Sequence, residues 1–372
     1  MIAFLTQYYR GLGHAMRVKY ISDCLPADSF IMINQLFSPP IKYNTKFSYY
    51  LEDKPVKTAN DYKYLMKHER VRLRAKKAIK ILDAHPEIKV LVCEGFPFCR
   101  QQFSYEYFYI LEECKKRNIK IIISIRDYPW DEPHYQSVQD WIGKTINYIV
   151  NIFDCKVMIH GDESVLPLMA DVTQNYYWSD LLEDIKDKIY YTGYVCNPDI
   201  KPHSNKNNKV YISCGLNKEE GFYIYKKILK SLVPNNPDNE FVVALGSKDL
   251  HDRIGDRTSS NIKIVNYIDN LSKKLEDCFA YITYGGYNST TDILKARIPS
   301  IIIPRQDGNK LEQLIRCYKL REYDLFKVCS YSNINNINHY LKQIKDEYNV
   351  FPKSINIDLE GASKSVRFLK NL

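Results

Sequence analysis

Short, almost wholly apolar runs recur along this chain, each followed by a stretch whose apolar residues fall at helical intervals, and they come in two successive sets. The first set is Ile2 to Thr6, Phe30 to Ile33, Lys89 to Cys93, Lys120 to Ile125 and Val157 to Ile159; the second is Val210 to Ser213, Phe241 to Leu245, Ile262 to Val265, Tyr281 to Thr283 and Ser300 to Ile303. A strand that is apolar on both faces must be covered on both, so the repeat predicts parallel sheets flanked by helices. Between the sets, NPDIKPHSNKNN at 197–208 carries two prolines and almost no large apolar residue, the composition of a linker. A length of 372 residues suits two such domains. The division expected is an N-terminal Rossmann-like domain over 1–196, a linker over 197–208, a second Rossmann-like domain over 209–350, and a C-terminal helix in 351–372 that returns to the first domain.

Several function classes fall away on composition. No apolar run approaches the roughly 20 residues needed to span a bilayer, and MIAFLTQYYRGLGH reads as a first strand, without the basic lead and small-residue cleavage site of a signal peptide. The ten cysteines include no C-x-x-C pair and no regular spacing, which argues against a zinc site or a disulfide framework and favours a reducing cytoplasm. The net charge of +9 speaks to association with anionic partners and not to fold.

In open parallel sheets ligands sit beyond the carboxyl ends of the strands, so the turns there are the places to look for chemistry. The first turn, Thr6 to Arg17, carries Gly11 and Gly13 at the opening of a helix, followed at once by His14. Glycines let a backbone approach a ligand, a helix start favours negative charge, and a histidine there can take a proton from an attacking hydroxyl. The same glycines also suit a plain strand-to-helix turn. The third strand runs into Glu94-Gly95-Phe96-Pro97-Phe98-Cys99-Arg100, the fourth into Arg126-Asp127, and the fifth into His160-Gly161-Asp162. Each cluster alone is compatible with a surface salt bridge or turn; three successive ones at one sheet edge point to an active site, with His14 as base and Asp127 and Glu94 as second choices. In the second half Ser213, Gly215 and Asn217 form a small-residue turn able to meet a diphosphate. Gly285-Gly286 then lead into a helix with Asn288, Ser289 and Asp292, where a phosphate can rest on the helix start and Asp292 can accept hydrogen bonds from ribose hydroxyls. Arg305, Glu312 and Gln313 follow the next strand.

Taken in order, the glycine turn, Asn288-Ser289, Asp292, the proline-bounded strand, Pro304-Arg305 and Glu312-Gln313 resemble the donor-binding half of the glycosyltransferase group that includes the lipid II-forming N-acetylglucosaminyltransferase. GLGHAMR at 11–17 is similar to the acceptor-side loop of that group. A bacterial branch of predicted glycosyltransferases carries further matching segments, found here as EGFPF at 94–98, Arg126-Asp127, His160-Gly161-Asp162 and Tyr191-Thr192-Gly193-Tyr194-Val195. The resemblance spans most of 1–325. It implies a GT-B fold, two Rossmann-like domains facing across a central cleft, with a uridine diphosphate sugar bound mainly by the C-terminal domain, no metal or other cofactor, and inversion at the anomeric carbon. It further implies that His14 contacts the acceptor or serves as base, that Asp292 holds the ribose and that Gln313 orients the sugar, with Gly11, Gly13 and Arg126 among the substrate contacts and Arg305 as a cationic helper. Where the group has a glutamate at the ribose position this chain has the shorter Asp292, and CGLNKEEG at 214–221 replaces a run of glycines, leaving Ser213 or Asn217 to substitute.

The acceptor is less constrained. Tyr62 to His85 holds eight Lys or Arg between Lys63 and Lys80 and reads as a single basic helix. With Leu65, Met66, Leu73, Ile79 and Leu82 it is suited to anionic lipid at the inner membrane face, to DNA phosphates as for a transferase acting on modified bases, or simply to solvent. A nucleotide-sugar hydrolase of the same fold and a non-catalytic nucleotide-sugar or nucleic-acid binding protein are the rival readings; product analysis separates the first and binding without turnover the second.

Overall fold

A computed structural model of the chain describes residues 1–6, 13–34, 41–52, 59–128, 136–166, 183–204, 207–214, 218–246, 248–254, 260–269, 271–305, 312–347 and 356–372. They form two compact units, Met1–Cys196 with Ile357–Leu372, and Asn197–Asn356.

In the first unit, strands β1 (Ile2–Thr6), β2 (Phe30–Asn34), β3 (Phe47–Tyr50), β4 (Val90–Glu94), β5 (Lys120–Arg126), β6 (Lys156–His160) and β7 (Ile189–Tyr191) make one sheet in the order β3-β2-β1-β4-β5-β6-β7. Every pairing is parallel. The helices among the described residues are α1 (Gly13–Ser22), α2 (Ala59–Leu65), α3 (His68–Ala84), α4 (Ser104–Lys116) and α5 (Gln136–Ile152). In the second unit, β8 (Lys209–Ser213), β9 (Glu240–Ala244), β10 (Ile262–Val265), β11 (Ala280–Tyr284), β12 (Ser300–Ile303) and β13 (Lys327–Val328) pair in the order β10-β9-β8-β11-β12-β13, again parallel throughout. Its helices are α6 (Lys218–Leu232), α7 (Lys248–Ile254), α8 (Leu271–Leu275), α9 (Tyr287–Ala296), α10 (Glu312–Arg321) and α11 (Ile337–Glu347); α12 (Gly361–Lys370) belongs to the first unit.

Both sheets therefore have the order in which the direction of winding reverses, between β1 and β4 in one and between β8 and β11 in the other, and ligands of such sheets bind at that reversal. The central strands β1, β2, β4 and β11 are buried along their whole length, so the strand residues in these positions are the continuous apolar runs of the sequence. The strands not anticipated from sequence are those with weaker patterns. β3 alternates half-buried and exposed at a sheet edge, and β7 and β13 have three and two residues.

Residues 197–204 are not a loose tether. The backbone N–H groups of His203 and Ser204 donate to Ala296 (2.7 Å) and Glu276 (2.8 Å), which docks this proline-bearing segment on the second unit. The C-terminal segment docks on the first. Gly361 N–H donates to Tyr194 O (3.0 Å), Tyr194 N–H to Asp358 O (2.7 Å) and Asp358 N–H to Asp162 Oδ2 (2.7 Å). Gly193 is at φ +83°, and a Cβ there would run into the Asp358 carboxyl; one on Gly361 would meet the Tyr194 backbone. Val366 and Leu369 of α12 then join Val18 and Ile21 of α1 in a common core.

The basic stretch 62–85 departs from expectation. It is not one helix: α2 ends at Leu65 and α3 starts at His68 after Lys67 in extended conformation. Arg74 is fully buried between Glu106, whose Oε2 accepts from Nε at 2.7 Å, and Glu52, whose Oε1 accepts from Nη1 at 3.1 Å; Arg70 pairs with Glu52 as well. A charge at the bottom of a core needs such partners, because an unpaired one costs several kcal/mol. Leu65 and Leu82 are buried too. Lys63, Lys67, Arg72, Lys76 and Lys80 are exposed, so only part of the sequence's charge run is available to a partner. Among the described residues no helix is long and apolar enough to cross a membrane. Eight of the ten cysteines are buried and pack as small apolar side chains.

Candidate functional site

The two winding reversals collect most of the residues singled out from sequence. In the first unit His14 is the second residue of α1, directly beyond β1, and Glu94 is the last residue of the adjacent β4. His14 Nδ1 lies 2.8 Å from Glu94 Oε1. Arg17, one turn further along α1, ion-pairs with the same Oε1 and is as buried as Glu94, at 2% exposure each. Glu94 Oε2 accepts from Ser124 Oγ at 2.9 Å, and Ser124 Oγ is 2.8 Å from His160 Nε2 on β6. His160 Nδ1 is in turn 2.9 Å from Thr192 Oγ1, just past β7. A continuous polar chain thus crosses the carboxyl ends of five neighbouring strands, from Thr192 to His14.

The charges in this chain are settled by burial and by Arg17. Burial would raise the Glu94 carboxyl, but the Arg17 guanidinium and the His14 hydrogen bond outweigh it and hold the group down at about 2. Burial pushes the His14 imidazole down to about 4 against the opposing Glu94 hydrogen bond, with the Arg100 and Arg17 charges adding to the depression. His160, wholly buried, is pushed down to about 3 by burial and by Arg17. At neutral pH the site holds one carboxylate, one guanidinium and two neutral imidazoles. Because an ionised Glu94 only accepts, His14 must carry its proton on Nδ1, which leaves the Nε2 lone pair as the acceptor; Nε2 meets no partner among the described residues. His14 keeps 18% of its side chain exposed, so it is the member of the chain open to solvent. Glu94, listed from sequence as an alternative base, is instead buried behind His14 with both oxygens occupied. Asp127 is fully buried, its Oδ1 accepts the Tyr128 N–H at 2.8 Å, and Gly161 packs so closely that a Cβ there would lie 2.8 Å from Asp127 Cβ. It shapes the joint between the β5 and β6 ends. Arg126 pairs in register with His160 and is half-buried. Gly13 opens α1 with free space around it; Gly11 lies outside the described residues.

In the second unit Ser213 ends β8, and its carbonyl accepts from Thr283 Oγ1 of β11 at 2.7 Å, locking the two strand ends at the reversal. Gly215 and Asn217 lie outside the described residues. After β11 the chain passes through Gly285 and Gly286 into α9, whose N-cap, Gly286, is extended and offers no side-chain cap. Gly286 has no side chain with which to cap this ten-residue helix, and a helix start of this kind is suited to an anion. Asn288 and Ser289, on its first turn, are half-buried. Asp292 follows one turn later; its Oδ1 is buried without a hydrogen-bond partner among the described residues, and burial raises the carboxyl from 3.8 to about 7.

What supports this turn is a second set of buried charges that the sequence reading misplaced. Glu312 was expected to touch the donor; it is buried on α10 and ion-pairs with Arg316, one turn along the same helix. Arg316, fully buried, donates from Nη1 to Gly285 O at 3.0 Å. Gln313 Oε1 accepts the Arg305 N–H at 3.2 Å, tying the end of β12 to the same helix. Gly285 itself lies so close to α10 that a Cβ would strike Cys317 Sγ. Arg17, Ser124 and Thr192 lie within the strand and turn segments that the sequence singles out and Arg316 just after Gln313, but nothing in a linear pattern marks a buried partner.

The geometry of the second unit agrees with a match of its sequence: residues 212–348 fit the model of the glycosyltransferase family 28 C-terminal domain. This unit is similar to a glycosyltransferase family 28 C-terminal domain. Across the whole chain, solved structures share the two-unit architecture at low identity. They include CalG4, the calicheamicin glycosyltransferase (11% identity, 100% of this chain and 94% of that one, TM-score 0.59), Acinetobacter baumannii MurG (11%, 100% and 99%, TM-score 0.57) and S. aureus MnaA in complex with UDP (10%, 100% and 97%, TM-score 0.61). A comparison with curated proteins finds no match. The fold is GT-B, and the chain is a glycosyltransferase of that type.

Proposed function

We propose that this glycosyltransferase takes a uridine diphosphate sugar into the family 28 domain and transfers the sugar to an acceptor hydroxyl with inversion, by direct displacement and without a metal. The observation that carries the donor half is the pairing, one helical turn apart, of an uncapped helix start at Gly286 with the buried, unpartnered Oδ1 of Asp292. The first suits a diphosphate and the second a pair of ribose hydroxyls. The UDP held by the structurally similar MnaA supports the choice of nucleotide.

In this scheme His14 is the base. Its neutral imidazole offers the Nε2 lone pair to the acceptor hydroxyl, the acceptor oxygen attacks the anomeric carbon, and the nucleoside diphosphate leaves toward the α9 helix start, whose N–H groups take up the developing charge. The anionic Glu94 behind Nδ1 favours the imidazolium that forms. The exposed cations Lys63, Lys67, Arg72, Lys76 and Lys80 are the part of the N-terminal unit suited to an acceptor carried on an anionic surface.

The test is a calorimetric and thermal-shift screen against nucleoside diphosphates and nucleotide sugars, followed by turnover of any donor that binds, with and without a chelator. Selective binding of a uridine compound and turnover that survives chelation are expected. No binding of any nucleotide refutes the donor reading, loss of turnover on chelation refutes the metal-free scheme, and free sugar as the sole product in the presence of acceptors assigns a hydrolase instead. His14→Ala is expected to leave donor affinity unchanged and to lower turnover by roughly 100-fold or more, the usual contribution of a general base; unchanged turnover removes His14 from the chemistry.

A further inference from the structure

The buried chain behind His14 is longer than a base and its carboxylate require, and from His160 to Glu94 its hydrogen bonds have one consistent direction. Glu94 is ionised and only accepts. Ser124 has one proton, and it goes to Glu94 Oε2 at 2.9 Å. The 2.8 Å contact between Ser124 Oγ and His160 Nε2 must then be a donation from His160, whose neutral ring carries its proton on Nε2. The Nδ1 of His160 is left as an acceptor and lies 2.9 Å from Thr192 Oγ1, whose single proton also has the Gly193 and Ile159 carbonyls within reach at 3.0 and 3.2 Å. Protons thus point the same way at each link from His160 to Glu94.

The value of that order lies in the competition at Glu94. Oε1 is shared by Arg17 and His14. A guanidinium facing a carboxylate prefers the two-point fork, which needs both oxygens. If Oε2 were released, Glu94 could turn to meet Arg17 with both oxygens and give up His14. We propose that His160 is a positioning residue for His14: by donating to Ser124 it keeps Ser124 on Oε2 of Glu94, and so keeps Oε1 for the Nδ1–H of His14. The inference rests on the reading of His14 as base for its catalytic consequence, but its structural content can be measured without any substrate.

The experiment is the side-chain nitrogen spectrum of 15N-histidine-labelled full-length protein, in which His14 is assigned by its absence from His14→Ala. The wild type is expected to show His14 with a protonated Nδ1 and a bare Nε2. In His160→Leu, which removes the donor, the two His14 nitrogens should move toward a common averaged shift as both tautomers become populated. His160→Gln, which returns an N–H near the former Nε2, should restore the separation. A folded His160→Leu with the wild-type His14 signature overturns the proposal, as does a His160→Gln indistinguishable from His160→Leu. If His160→Leu does not fold, Ser124→Ala, which deletes a single oxygen from the same link, takes its place, and an unchanged His14 signature there overturns the proposal equally. Turnover is read alongside. A loss in His160→Leu of between about 10-fold and the about 10⁴-fold that a wrong tautomer costs serine hydrolases is expected at unchanged KM. If the His14 signature collapses while His14→Ala retains full turnover, the positioning stands and the assignment of His14 as base falls.

Discussion

Replacing Asp292 with asparagine should make the ligand-free protein more stable, by a margin that grows as pH rises from about 4 to about 7. Burial holds the Asp292 carboxyl at about 7, against 3.8 for an unperturbed group, and Oδ1 has no hydrogen-bond partner among the described residues. A carboxyl whose folded pKa lies above its unfolded value costs nothing while both states are protonated. As pH rises the unfolded state ionises first, stability falls across the interval from 3.8 to about 7, and above that interval the loss is complete. The full displacement is about three pK units, or about 4 kcal/mol at 1.36 kcal/mol per unit. Rather less than half of it is already present at pH 5, so the advantage of Asp292→Asn over wild type should grow by about 2 to 3 kcal/mol between pH 5 and pH 8. Urea unfolding of both proteins at the two pH values, followed through the transition of the second unit, measures it. An advantage that does not change with pH, or a variant less stable at pH 8, would refute the argument that Asp292 is held buried at a cost. The same group offers a check with ligand. Ribose hydroxyls donating to the carboxylate favour its ionised form, so nucleotide binding near pH 7 should release a proton, seen as a binding enthalpy that varies with the ionisation enthalpy of the buffer; Asp292→Asn should lose that dependence and bind more weakly.

Two further perturbations follow from close backbone contacts. Gly285→Ala places a methyl against Cys317 Sγ on α10 and should cost about 1 to 3 kcal/mol as an overpacked site, with weaker nucleotide binding; Cys317→Ala in the same chain should return part of the stability, and a variant as stable as wild type refutes the contact. Gly193→Ala meets both a left-handed backbone and the Asp358 carboxyl, so limited proteolysis should cut the segment around 356–360 faster than in wild type, and an unchanged digestion pattern would show that Gly193 does not hold the C-terminal segment.

Much of this architecture was legible in the linear sequence because a fully covered parallel strand leaves an unmistakable trace. The runs at Ile2 to Thr6 and Ser300 to Ile303 are apolar on both faces, and polar residues appear where each strand emerges, so fold class and the two glycine turns followed from pattern alone. His14 and Asp292 were readable for the same reason, standing just beyond strands at helix starts. What the sequence did not contain was the third dimension of charge. Arg74 sits in a run of basic residues that looks like one solvated face, and only the packing of α3 on α4 puts it beside Glu106 in the core. Glu312 resembles a donor ligand in sequence, yet its partner is Arg316, which holds Gly285. The chain from Thr192 to His14 joins residues up to 178 positions apart, brought together because β7, β6, β5, β4 and β1 lie side by side in that order in the sheet. The sequence by itself determined which residues could do chemistry at strand ends; the tertiary structure decided which of them face a ligand and which hold those residues in place, because that division depends on neighbours across the sheet that no local pattern records.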